Sequence, residues 1–275
     1  MSILNIGPAG IPSLGLGTFK MKEGEAREIT EAALAEGYRH IDTAQAYENE
    51  VEVGEGIRAS ATPRDQIFLT TKILPRDFAA ADFRKAAEAS LKALGTDYVD
   101  LLLLHWPSKE VALSETLPVL DQLIDEGKVR FGGVSNFTIP MLEQARDILQ
   151  APLAANQVEM HPFIDQTRLR AFMQQADIPL QAYAPLAQGR VMENPVMAEI
   201  AETHQTSAAA IAVAWLLHKP GVIALPKTAK PSRLAGNLAA AEMALSPDQI
   251  ARIDALVRPD GRIVAPEGLA PDWDD

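Results

Sequence analysis

No cysteine occurs in the 275 residues, which excludes disulfides, thiolate metal ligation and covalent catalysis through sulfur. Basic charge is also scarce: 25 Lys and Arg stand against 37 Asp and Glu, a net charge of −12 that repels polyanions. Neither a nucleic acid nor an anionic membrane is expected as a partner. Long apolar runs are missing too. The longest uncharged one, Ser207 to Leu217, falls short of the roughly 20 residues that span a bilayer. Met1 to Gly7 lacks the basic and apolar stretches of a signal peptide. These absences point to a soluble, cytoplasmic protein.

What is present is a repeat of strand-like and helix-like stretches. Short apolar runs recur at 38–42, 67–71, 99–104, 129–134, 154–158, 179–183 and 222–225, and Leu14-Gly15-Leu16-Gly17 supplies one more at the start. Helical periodicity fills intervals between them, as at 25–36, 79–94, 113–126, 141–149 and 207–218. Gly37 and Gly127 stand where helix-ending glycines belong, and Ser246-Pro247 opens the last helix. Strands spaced by about 25 to 45 residues suit repeated βα units, and eight of them close into a (β/α)8 TIM barrel, one domain over 1–275. Residues 3–13, with Gly7-Pro8-Ala9-Gly10 as the turn, read as an N-terminal β-hairpin plugging the bottom of the barrel. An open doubly wound sheet is the alternative. Its phosphate loop is absent, however, because Gly15-Leu16-Gly17 runs into Thr18-Phe19-Lys20 without a third glycine. The tail after Pro259, rich in Pro, Gly and Asp, reads as loose on composition, although Trp273 argues that it docks somewhere.

In a parallel barrel all strands end on one rim. Asp42, Lys72 and His105 end or directly follow successive strand-like runs, and Tyr47 lies five residues past Asp42, so the four converge. Together they suit proton delivery to a carbonyl oxygen. A phenol with an ordinary pKa near 10 donates poorly at neutral pH, and an adjacent ammonium lowers that value. Lys72 is placed to supply the charge, Asp42 to hold Lys72, and a neutral His105 to orient the carbonyl beside Tyr47. Singly, each residue has a plain alternative as a turn residue, a solvated charge or a satisfied near-core histidine. It is their joint placement that favours chemistry.

These residues sit in a longer series: Gly17-Thr18-Phe19, Ile41 to Glu50 with Val53-Gly54, Thr71-Lys72, Leu104-His105-Trp106-Pro107 and Gly133 to Phe137. Asn156 to Pro162, Ala182 to Leu186 and Leu225-Pro226-Lys227-Thr228 continue it. Taken in order, the series resembles the signatures of the aldo-keto reductase family, in the style of its small bacterial 2,5-diketo-gluconate reductases. The resemblance implies an NADP-dependent carbonyl reductase that binds NADPH/NADP+ across the barrel mouth, with Tyr47 as general acid. By the same resemblance, Ser135, Asn136 and Gln157 would bond the nicotinamide carboxamide and Tyr183 would stack on its ring. Gly17, Thr18 and Asp42 would border it, and Leu186, Gln188, Gly189 and Arg190 would lie over the pyrophosphate. Lys227, Thr228 and Arg233, at a helix start after the eighth strand, suit a 2′-phosphate. Asn237 matches an adenine contact, with Gly236 replacing the usual acidic neighbour. Phe19, Tyr47, His105 and Trp106 would line an apolar substrate pocket. Leu74, where relatives often carry tryptophan, and a short loop after His105 imply a wide pocket.

The expected partner is a small-molecule carbonyl, the expected state a monomer, and no metal is called for. Two other readings compete. A cofactor-binding regulatory or interaction protein uses the same barrel, as in potassium-channel β subunits, but the complete set of four residues argues against it. A metal-dependent barrel hydrolase would use His40, Glu159 and His161. Glu159 and His161 share one face of a strand, yet other ligands do not gather at metal spacing.

Overall fold

The computed structural model describes residues 3–21 and 24–273. Its first strands, Asn5–Ile6 (β1) and Ile11–Pro12 (β2), pair antiparallel, and Gly10 N–H donates to the Gly7 carbonyl at 3.0 Å across the turn. Eight parallel strands follow in sequence order: Leu16–Gly17 (β3), His40–Asp42 (β4), Phe68–Ile73 (β5), Val99–Leu104 (β6), Val129–Ser135 (β7), Asn156–Glu159 (β8), Leu180–Tyr183 (β9) and Val222–Ala224 (β10). The sheet closes on itself between its ends. Leu14 bridges Ala224 in parallel, Gly15 N–H donates to the Ala224 carbonyl at 2.9 Å, and Ala224 N–H donates to Ser13 at 2.8 Å. This is the expected (β/α)8 barrel, and closure leaves no free edge.

Alternation along each strand decides what points inward. In β6, Leu101 and Leu103 pack in the barrel interior, while Leu102 and Leu104 join the larger core shared with the helices. That two-sided burial explains why β6 reads as an unbroken leucine run. Gly133 faces the same interior, where a Cβ would press on Leu101 and Leu103. Below them the hairpin closes the barrel: Ile11 is fully buried among Phe68, Leu101 and Ile223, with Ile6 and Ala9 packed alongside. Burying such a side chain is worth about 1.5 to 3 kcal/mol, enough to keep the plug seated.

Five helices, Glu25–Glu36, Ala80–Leu94, Leu113–Asp125, Ile139–Ile148 and Ala208–Leu217, fall within two residues of the periodic stretches in the sequence. Gly37 ends the first in the left-handed region at φ 112°, and Ser246 opens Pro247–Asp254 with a reciprocal capping box to Gln249. The helix Glu50–Ala59 matters for the site because it carries the chain away from Tyr47. It packs tightly on Ala80–Leu94, since a Cβ at Gly54 would run into the Leu94 carbonyl. No helix among the described residues is long and apolar enough to cross a membrane.

Candidate active site

The inward columns change character from bottom to top. On β4 the column runs His40, Asp42; on β5 it runs Phe68, Thr70, Lys72. Lys72 is therefore the last inward residue of its strand, one short of the end at Ile73, and is fully buried. On β8 and β9 the columns end in Gln157, Glu159 and Gln181, Tyr183. Tyr47 reaches the same rim from the 3-10 turn Gln45–Tyr47, and His105 stands directly after β6.

The four expected residues do meet. The Lys72 ammonium donates to Asp42 Oδ1 at 2.6 Å, to the Thr43 carbonyl at 2.8 Å and to the Tyr47 hydroxyl at 3.3 Å. The other oxygen of Asp42 accepts from Gln157 Nε2 at 2.7 Å, and that amide also donates to Gln181 Oε1 at 2.7 Å. The Tyr47 and His105 rings meet edge to face with centroids 5.7 Å apart. Gln181 was not legible as a site residue, although its spacing of two from Tyr183 on one strand places it on the inward face.

Electrostatics refine the expected roles. Burial works against the Lys72 charge, but Asp42 and Tyr47 outweigh it and hold the ammonium above its ordinary range. Burial also lowers the His105 imidazole to about 3, with the Lys72 charge adding to the effect, so the ring is neutral across physiological pH. Its Nδ1 is buried and has no hydrogen-bond partner among the described residues. The expectation for Tyr47 is corrected: burial raises its phenol above the ordinary value, Lys72 opposing and Asp42 adding to the rise. Desolvation of the phenolate wins over the neighbouring ammonium, so in the free protein the proton is held more firmly.

The expected cofactor residues form a second network. Ser135 Oγ donates to the Gln157 carbonyl at 2.8 Å, Asn136 Nδ2 donates to the His105 carbonyl at 3.0 Å, and the Tyr183 hydroxyl donates to Asn136 Oδ1 at 2.8 Å. Thr18 Oγ1 donates to the Asp42 carbonyl at 3.0 Å, beside Gly17. Leu186 to Arg190 follows β9, and the backbone is unusual both there and directly after β7. Asn136, Ala184, Ala187 and Gln188 have φ of 64°, 50°, 47° and 52°, with Gly189 at 106°. Left-handed alanines cost of order 1 to 3 kcal/mol each and gather where a site over-determines the backbone. Lys227 and Arg233 are exposed, whereas Thr228 is buried and its hydroxyl bonds Lys230 N–H at 3.1 Å. Asn237 is buried within the short helix Leu234–Ala239 and bonds the Tyr38 hydroxyl, so its side chain is already engaged.

Phe19 is half exposed at the mouth, its ring 5.0 Å from Tyr47. Trp106 is buried. Composition alone reads the tail after Pro259 as loose, yet it docks, as Trp273 suggested: Trp273 meets Trp106 edge to face at 6.4 Å, and the Ile263 and Val264 N–H groups donate to Glu159 at 2.8 and 2.9 Å. Composition missed this because the anchors, Glu159 and Trp106, lie more than 100 residues away in sequence. His40 lies at the bottom of the barrel, bonded to the Pro12 carbonyl at 3.3 Å and Thr70 Oγ1 at 3.2 Å, far from Glu159 and His161. The three do not form a metal site.

A closed (β/α)8 barrel with this rim defines a carbonyl-active oxidoreductase. The match to the Aldo/keto reductase family over residues 10–258 makes the chain a member of that family. Methylglyoxal reductase DkgB of Escherichia coli O157:H7 is 39% identical over 267 residues, covering 96% of this chain and 99% of its own. A crystal structure named for 2,5-diketo-D-gluconic acid reductase B superposes with a TM-score of 0.98 at 42% identity, over 100% of this chain and 98% of that one. A variant of Gox0644 crystallised with NADPH has a TM-score of 0.88 at 33% identity, over 96% and 97% of the two chains.

Proposed function

We propose that the protein reduces small aldehydes and ketones, dicarbonyls and keto-sugars foremost, to alcohols with NADPH, Tyr47 acting as general acid. The observation that carries the reading is Lys72, fully buried, spanning Asp42 at 2.6 Å and the Tyr47 hydroxyl at 3.3 Å beside a neutral His105. The DkgB relative is named for methylglyoxal and the structural neighbour for a diketo-gluconate, which directs the substrate class.

NADPH supplies hydride to the carbonyl carbon when bound. The chain's fit to it rests on Lys227 and Arg233, two exposed cations outside any ion pair among the described residues of a chain carrying −12 overall. They would hold the 2′-phosphate, with Leu186 to Arg190 along the pyrophosphate and Ser135, Asn136, Gln157 and Tyr183 at the nicotinamide end. Tyr47 holds the proton destined for the carbonyl oxygen. As negative charge develops on that oxygen, the Lys72 ammonium stabilises the phenolate left behind, and Asp42 keeps Lys72 charged and aimed. His105, neutral at working pH, orients the oxygen without competing for the proton.

The test is NADPH oxidation over a panel of aldehydes, α-keto esters, dicarbonyls and keto-sugars. Turnover of methylglyoxal or a keto-sugar supports the reading. Tight NADPH binding without turnover of any carbonyl would favour a cofactor-binding regulatory protein instead.

A further inference from the structure

Glu159 and His161 stood out in the sequence and have no part in the proton path. Alternation on β8 puts Glu159 on the same inward face as Gln157, one pleat higher, at the rim itself. A carboxylate there would ordinarily meet solvent or ligand, yet Glu159 is about as buried as any residue in the barrel. Its Oε1 accepts from His161 Nε2 at 2.8 Å and from Ile263 N–H at 2.8 Å, and its Oε2 accepts from Val264 N–H at 2.9 Å. His161 Nδ1 in turn accepts from Phe163 N–H at 3.3 Å, which fixes the ring as the tautomer that donates to Glu159.

A buried carboxylate without hydrogen bonds is costly. Two of the three donors on Glu159 belong to the tail, so the tail cannot leave without stranding it. The same stretch is held at Phe163, where a Cβ at Gly261 would run into the carbonyl oxygen. Beyond the anchor, Arg262 lies 3.8 Å over the Trp273 ring, and Trp273 meets Trp106. Trp106 directly follows His105 in the chain, so the Trp106–Trp273 pair stands next to the aromatic run Phe19, Tyr47, His105.

We propose that Glu159, oriented by His161, is a positioning residue for the carbonyl pocket. It clamps the tail so that Trp273 closes the wall at Trp106, and this wall sets the pocket to small carbonyls. The inference deepens the reductase reading and rests on it for the substrate effect.

Glu159→Gln replaces one acceptor oxygen by a donor that faces the tail amides, and Trp273→Ala removes the wall while leaving the clamp. Both variants should raise KM for methylglyoxal by about tenfold, with much less change in KM for a bulky aromatic aldehyde and none in NADPH affinity. Only Glu159→Gln should speed hydrogen exchange at the Ile263 and Val264 amides. Unchanged exchange in Glu159→Gln, an unchanged KM ratio in Trp273→Ala, or a parallel loss of NADPH affinity would each overturn the proposal. If Glu159→Gln fails to fold, slow exchange of the two tail amides in the wild type, together with the Trp273→Ala ratio, decides it. If the wild type reduces no carbonyl, the reductase reading fails by itself, and exchange at the tail amides still tests the clamp.

Discussion

The two ends of the barrel are built from the same strands and solve opposite problems. His40 and Asp42 are two residues apart on β4 and face the same interior, yet one is finished structure and the other is poised. At the bottom, both ring nitrogens of His40 are satisfied by Pro12 and Thr70, and apolar side chains fill the remaining space. At the top, Asp42, Lys72 and Gln157 satisfy one another, while Tyr47, the Nδ1 of His105 and the Nε2 of Gln181 keep capacity to spare among the described residues. Burial depresses both imidazoles, so pKa alone does not separate a structural histidine from a functional one. The hydrogen-bond inventory does.

The sharpest way to break this comparison is to substitute each end. Tyr47→Phe should lower kcat by about 10²- to 10⁴-fold, with NADPH binding retained, because only the transferable proton is lost. His40→Gln, at the other end, should leave kcat unchanged. Wild-type-like turnover in Tyr47→Phe, measured by NADPH oxidation, would remove the proposed proton donor. Lys72→Met joins stability to catalysis. It leaves Asp42 buried without its charge partner, which costs about 3 to 5 kcal/mol in urea unfolding. A loss below 1 kcal/mol would mean that Gln157 alone suffices for Asp42.

Much of this architecture was legible because barrels translate sequence position into place. Strand-end residues converge on one rim whatever their separation, so Asp42, Lys72 and His105 could be grouped before any contact was known. The hairpin was legible from its glycine turn. What stayed hidden depended on long-range partners. The upward shift of Tyr47 follows from burial depth, which no local pattern carries. The docking of the tail follows from Glu159, about 100 residues away and indistinguishable in sequence from a metal ligand. Gln181 was overlooked since a strand-end glutamine is ordinary until its neighbour Gln157 needs an acceptor.

Acid should erode both ends, because the fold holds the His40 and His105 imidazoles below their ordinary value, and the finished end is where the effect separates from catalysis. Burial holds the His40 imidazole at about 4 against an ordinary 6.5, so the unfolded chain binds that proton before the folded one does. The contribution of His40 to stability is therefore complete above about pH 6.5 and is lost as the pH falls toward 4, by about 1.4 kcal/mol per pH unit within that window. His40→Gln should flatten the decline of unfolding free energy between pH 6.5 and 4 by that slope. An identical decline in the variant would mean that His40 accepts a proton without unfolding.

The smallest effect belongs to the outermost part of the proposed site, where charge is exposed and screened. Arg233 is exposed and its guanidinium is available for a bidentate contact, so its proposed role is to read the phosphate that distinguishes NADPH from NADH. Arg233→Ala should weaken NADPH by about tenfold and NADH hardly at all, with the NADPH deficit shrinking as salt is raised. Isothermal titration with both nucleotides at two ionic strengths separates the cases. Equal losses for the two nucleotides would assign Arg233 to the helix start alone and leave the 2′-phosphate to Lys227 and Thr228.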